Sequence, residues 1–224
     1  MNGDNQGVMK KRAILTSAFL AAVLGASPAH SCSVVAGYKV PTALELAASA
    51  EAIVLARVGD AHPGKDKYSM GSVQIVPETL LYGSTLPKEL ALEGSLDSDR
   101  ARATDSDPNE LAQANPDAFW GGCNRYVFRK GMLLLLFLER EKDGSLGIIS
   151  WPFARTLEDV PDESAPWVRA VRFYASIARD PKDVRKQKMA TERDRLLATR
   201  DPVDALLAKD IAREMKGKRT QNYD

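Results

Sequence analysis

Cys32, Cys123, His30 and His62 are the two cysteines and two histidines of the 224-residue chain. A structural zinc site would need all four together. Their spacing contains no C-x-x-C or similar knuckle, so no metal site is expected. Catalysis asks for a nucleophile beside a base, or a carboxylate pair in a pocket. His62 lies in Asp60-Ala61-His62-Pro63-Gly64, which reads as an exposed turn, and His30 closes the N-terminal segment. No G-x-S-x-G, H-E-x-x-H or P-loop occurs. Glu139 and Glu141 alternate on an expected strand and read as solvated. Asp105, Asp107 and Asn109 begin like a calcium loop, but Glu110 stands where the turn glycine is required and Pro116 where the bidentate glutamate is. The chain is expected to be non-catalytic and to need no cofactor.

The first residues read as an address. Lys10-Lys11-Arg12 precede an apolar run from Ala13 to Leu24, followed by the small residues Gly25, Ala26, Ser27, Ala29 and Ser31. This is the layout of a secretory signal peptide over 1–31, or 9–31 if translation starts at Met9. The run is shorter than the roughly 20 residues a membrane span needs, so no transmembrane span is expected after its removal. Cleavage after Ala29 would leave His30 first, and cleavage after Ser31 would leave Cys32 first. A lipid on Cys32 is a third outcome, disfavoured because Ala29 stands where lipoprotein signals usually carry Leu. The expected location is the periplasm or the medium. There, an even pair of cysteines reads as one disulfide, Cys32–Cys123.

Composition fits a folded domain: 44% apolar, 27% charged, net charge +1. Residues 181–224 carry twelve basic and eight acidic residues. The acids are interleaved, so this reads as a solvated helix surface rather than a nucleic-acid arm.

These groups must be carried by particular elements. Thr42 and Glu45 form a capping box for a helix over 42–51. Strands are expected at 52–58, 73–81 and 90–93, with Pro77 at an edge or bulge. Residues 94–120 form a long acidic loop of undetermined role. Met132 to Leu138 is an unbroken apolar run, suited to a strand buried on both faces. It turns at 142–145 into a hairpin partner over 146–151, and 155–160 adds a short edge. Ser164 is expected to cap a helix in which Trp167, Val171, Tyr174 and Ala178 share one face. Asp180-Pro181 and Asp201-Pro202 open two more helices, the first too poor in apolar residues to bury much. A disordered tail is expected over 218–224.

The stretch Cys123-Asn124-Arg125-Tyr126-Val127-Phe128-Arg129-Lys130-Gly131, followed by Met132 to Phe137, resembles the netrin-type module. So do Leu81-Tyr82-Gly83, Leu86-Pro87, Leu90 and Gly94. Cys32-Ser33 resembles the start of tissue inhibitors of metalloproteinases and their bacterial relatives. The resemblance covers roughly 32–153. It implies a five-stranded OB-like barrel, placed over 32–160 with the amino terminus stapled to it; with the helices read above as an extension over 161–217, the expected fold class is α+β.

In those inhibitors the first cysteine chelates the protease zinc through its free amine and carbonyl. Carried over, Cys32 would chelate, Cys123 would staple it and Ser33 would enter the specificity pocket. Val34 stands where the inhibitors carry another cysteine, and at most one bridge can form. The expected function is therefore an exported protein-binding module whose partner is another extracytoplasmic protein. Inhibition of a zinc metalloprotease and a structural envelope role are the alternatives. Trp120, beside Gly121-Gly122, either closes the barrel end or anchors the partner. OB barrels also bind single strands. Export argues against nucleic acid here, and Arg125, Tyr126, Phe128, Arg129 and Lys130 read as sheet packing with exposed basic partners.

Overall fold

The computed structural model describes residues 34–66, 69–97, 103–119 and 122–220. The chain divides into a unit over 1–31 and one over 32–224. All the elements below belong to the second. The expected signal segment, Cys32, Ser33 and Trp120 lie outside the described residues.

Strand β1 (Lys39–Val40) leads into helix α1 (Ala43–Ser49). Both halves of the capping box form: the Glu45 amide donates to Thr42 Oγ1 at 3.1 Å, and the Thr42 amide donates to Glu45 Oε2 at 3.0 Å. Strands β2 (Ala52–His62), β3 (Ser72–Tyr82) and β4 (Leu90–Glu93) form an antiparallel meander. β2 runs on through His62, which pairs with Ser72, where a turn was expected. A register shift between Val58 and Ala61 absorbs Gly59-Asp60, so the strand bends there instead of stopping. Pro77 falls beyond the end of the β3–β4 ladder, where its missing N–H costs β4 nothing.

β5 (Ser95–Leu96) pairs in parallel with β6 (Val127–Phe128). β7 (Leu133–Arg140) lies against β2, with Ile53 opposite Phe137 and Leu55 opposite Leu135. Its other edge is shared by β8 (Leu146–Ile148) and β9 (Leu157–Asp159). The sheet order is β4-β3-β2-β7-β8, with β9 also on β7. Among the described residues this is an antiparallel sheet in which no closed barrel is formed, and the chain beyond β4 turns away to pair with β6.

Three helices follow: α2 (Pro166–Ile177), α3 (Lys182–Thr199) and α4 (Pro202–Glu214). Asp201 caps α4 by accepting the Val203 and Asp204 amides. Ser164 does not cap α2. Its hydroxyl donates to Asp162, and the cap position falls to Ala165, with Pro166 supplying the preset φ of the first turn. The last described strand, β10 (Arg219–Thr220), pairs with β1, so part of the expected tail is tied to the start of the unit. None of the described helices is long and apolar enough to cross a membrane.

Period-two alternation sends the apolar run to both faces of the sheet. Leu135 and Phe137, with Ile53 and Leu55, pack under α1, α2 and α4. Leu134, Leu136 and Leu138, with Val54, Ala56 and Val58, face Phe128 and Leu157 on the other side. The helices thus complete the main core: Trp167, Val171, Tyr174 and Ala178 are all buried in it. α3 buries only Met189 and Leu196 and stays on the surface, as its composition requires.

Candidate functional site

The acidic loop is where the polar side chains converge. β9 presents two neighbouring carboxylates, Glu158 and Asp159, to residues 104–117. Ser106 Oγ lies 2.8 Å from Glu158 Oε2 and 2.7 Å from Asp159 Oδ1, and the Ser106 amide donates to Asp159 at 3.1 Å. The Asn115 amide donates to Glu158 Oε1 at 2.9 Å, and its side-chain NH₂ donates to the Thr104 carbonyl at 2.9 Å.

Two arginines complete the group. Arg125 pairs with Asp159, donates to the Thr104 carbonyl at 2.8 Å and stands 5.4 Å over the Phe128 ring. Arg155 donates to the Glu110 and Gln113 carbonyls and sits 3.5 Å from Glu158. Glu158 and Arg125 are each only 2% exposed. Burial pushes the Glu158 carboxyl above its ordinary range, against the opposing pull of Arg155, Asn115, Ser106 and Arg125. With Glu158, Asn115, Arg125 and Arg155 buried and Ser106 and Asp159 half-buried, the group acts as a rivet between loop and sheet.

Arg125 and Phe128 belong to the stretch considered for single-strand binding. Both are interior, so they cannot stack on or clamp a strand. His62 is exposed at the end of β2. Among the described residues, no group of three or more His, Cys, Asp or Glu side chains could hold a metal ion.

The third region lies at Cys123. Cys123 and Phe153 both hold left-handed backbone, at φ 59° and 57°, and the Phe153 amide donates to the Cys123 carbonyl at 2.8 Å. Such residues are uncommon and are kept only where their surroundings over-determine them. The Phe119 ring stacks on Phe153 with centroids 5.2 Å apart, and Phe119 itself is 37% exposed. It ends the short 3₁₀ turn Pro116–Phe119, whose start is fixed by the Asp117 amide donating to Asn115 Oδ1 at 2.9 Å. Among the described residues no cysteine is free.

Sequence reasoning singled out Cys123 and overlooked Phe119, Phe153, Ser106, Asn115, Arg155 and Glu158 in these roles. Arg155 and Glu158, three residues apart, look like an ordinary solvated pair until β9 is placed under the loop. Comparison with known family models, curated proteins and solved structures finds no match.

Proposed function

We propose that the chain is an exported, non-catalytic protein-binding module of the netrin and metalloproteinase-inhibitor-like class, acting in the periplasm or the medium. The observation that carries this reading is the partly exposed Phe119 ring stacked on Phe153. Its loop is riveted to β9 from the inside, while the ring itself rests half-open on Phe153. An aromatic that is immobilised before binding loses little entropy on meeting a partner, and aromatics are the usual anchors of interfaces. Trp120 follows directly in sequence and belongs to the same proposed contact.

An OB-like, partly open arrangement is part of the proposal. It is supported by the β2-β3-β4 meander, by β7 lying antiparallel beside β2 with β8 beyond it, and by the mutual approach of the two end strands, β4 and β8. A Cys32–Cys123 bridge would staple the mature N-terminus beside Phe153. If the chain begins at Cys32, that staple is what a zinc-chelating inhibitor requires. The left-handed pair at Cys123 and Phe153 favours it as a special case.

Two experiments test this. Cross-linking in cells exporting the native chain should trap one extracytoplasmic partner. Phe119→Ala should lose it while keeping the wild-type Tm. Equal trapping by both chains would sink the proposed surface. For the inhibitor case, protein with an authentic Cys32 terminus should inhibit a zinc metalloprotease, and one extra N-terminal residue should abolish this. Activity indifferent to that extra residue would remove chelation.

A further inference from the structure

The start of α1 and the end of α4 face each other across a small cleft. Glu214, in the last turn of α4, accepts the Leu44 amide through Oε2 at 2.9 Å, across 170 residues of chain. Beside it β10 pairs with β1, and Arg219 donates to the Ala112 carbonyl. The cleft encloses about 30 Å³, room for one or two waters or a single ion of that size. Its lining brings together the guanidiniums of Arg155, Arg213 and Arg219, the Trp167 indole and the Glu214 carboxyl.

Charge in this lining is not balanced. Glu214 is turned towards α1, where the Leu44 and Ala43 amides and the Thr42 hydroxyl meet it. Burial raises its carboxyl to about 7, and even fully ionised it offsets one guanidinium of the three. Behind the lining, Arg155 lies 3.5 Å from Glu158, and Arg213 pairs with Asp210, which also accepts the Tyr174 hydroxyl. Glu45 is taken by Lys218 at 3.4 Å. Burial and the charges of Arg213 and Arg155 push the Arg219 guanidinium down, with Glu110 and Glu214 opposing. Donors are left over as well. Trp167 Nε1 and Arg155 Nε have no hydrogen-bond partner among the described residues, although their residues are only 2% and 6% exposed. Buried donors are normally satisfied. A water in the cleft can accept from them but leaves the excess positive charge in place. An anion answers both needs.

We propose that the cleft is a binding site for one monovalent anion of about chloride size, held between Arg155, Arg213, Arg219 and Trp167. The volume suits a free ion and not a phosphate or a bulkier acid. Bound there, the ion ties β10 and α4 to the approach to β9 and the start of α2, and so closes the two ends of the folded unit.

Line broadening of the chloride magnetic resonance by the full chain tests this. The broadening should saturate with chloride. Formate should reverse it by competition, and bulky gluconate at the same ionic strength should not. Arg219→Gln, which removes the charge, should weaken chloride binding by at least about tenfold. Trp167→Phe, which keeps a ring and loses the N–H, should weaken it too. Broadening that gluconate reverses equally is surface screening and would overturn the site, as would binding unchanged in both variants. Should the variants fail to fold, bromide-soaked crystals of the wild-type chain decide: an anomalous peak in the cleft supports the site, and a cleft holding water alone overturns it.

Discussion

The Arg155 guanidinium lies over the Trp167 indole, 4.3 Å from the ring centroid. This contact joins three parts of the fold. Arg155 leads into β9, its Nη1 donates to the Gln113 carbonyl of the acidic loop at 2.9 Å, and Trp167 opens α2. The edge of the sheet, the loop and the helical layer therefore share one side chain. Helices and sheet share one hydrophobic core, although the change of period near residue 164 suggests an appendage.

Arg155→Ala should be among the most damaging single changes. It strands Glu158 in the interior and removes the cation from the Trp167 face. Breaking a buried pair by removing one partner costs about 3–5 kcal/mol. Urea unfolding should show a loss of that size, and adding Glu158→Gln should restore part of it.

Asn115→Ala removes the side chain that donates to Thr104 and whose Oδ1 accepts the Asp117 amide. A lost buried hydrogen bond costs about 1–3 kcal/mol. Limited proteolysis should cut faster within 103–119 than in wild type, while the sheet stays protected.

Gly83→Ala should destabilise through the backbone. Gly83 has φ 111°, and an added Cβ would sit 2.8 Å from the Glu51 carbonyl oxygen and 3.0 Å from Ala52 Cβ. Strain of this kind costs about 1–3 kcal/mol. A lower Tm with an unchanged fold by circular dichroism is the expected result.

Stability should fall as pH rises from about 4.5 towards about 7. A carboxyl raised in the folded chain binds more protons there than when unfolded, so the folded state is favoured at low pH and loses that advantage as pH passes the raised value. Glu214 and Glu158 both act in this direction. Denaturant midpoints at pH 5 and pH 8 should differ in wild type, and by less in Glu214→Gln.

Reduction should weaken the oxidised mature protein if the proposed Cys32–Cys123 bridge is present. A link closing about 90 residues contributes at most about 4–5 kcal/mol in the chain-entropy view. Cys123→Ser should unfold at the same midpoint as reduced wild type.

Local rules were enough to place most elements. The capping box at Thr42, the apolar run from Met132 to Leu138, the prolines at 166 and 202 and the Asp201 cap act over a few residues, so short-range sequence specifies them. The ends of elements were harder to read. β2 passes Gly59-Asp60 because β3 offers a partner on the far side, and Ser164 turns to Asp162 although its type and position suit a cap. Local propensity cannot foresee either choice.

The sequence by itself determined an α+β domain with a two-sided central strand, because periodicity, caps and breakers are written in neighbouring residues. Only the tertiary structure decided that the sheet runs β4-β3-β2-β7-β8, that Arg125 and Arg155 turn inward, and that Phe119 rests on Phe153. It alone brought Glu214 to Leu44. These are pairings between residues tens to hundreds of positions apart. Their energy comes from mutual burial and desolvation, which no residue carries until its partner arrives.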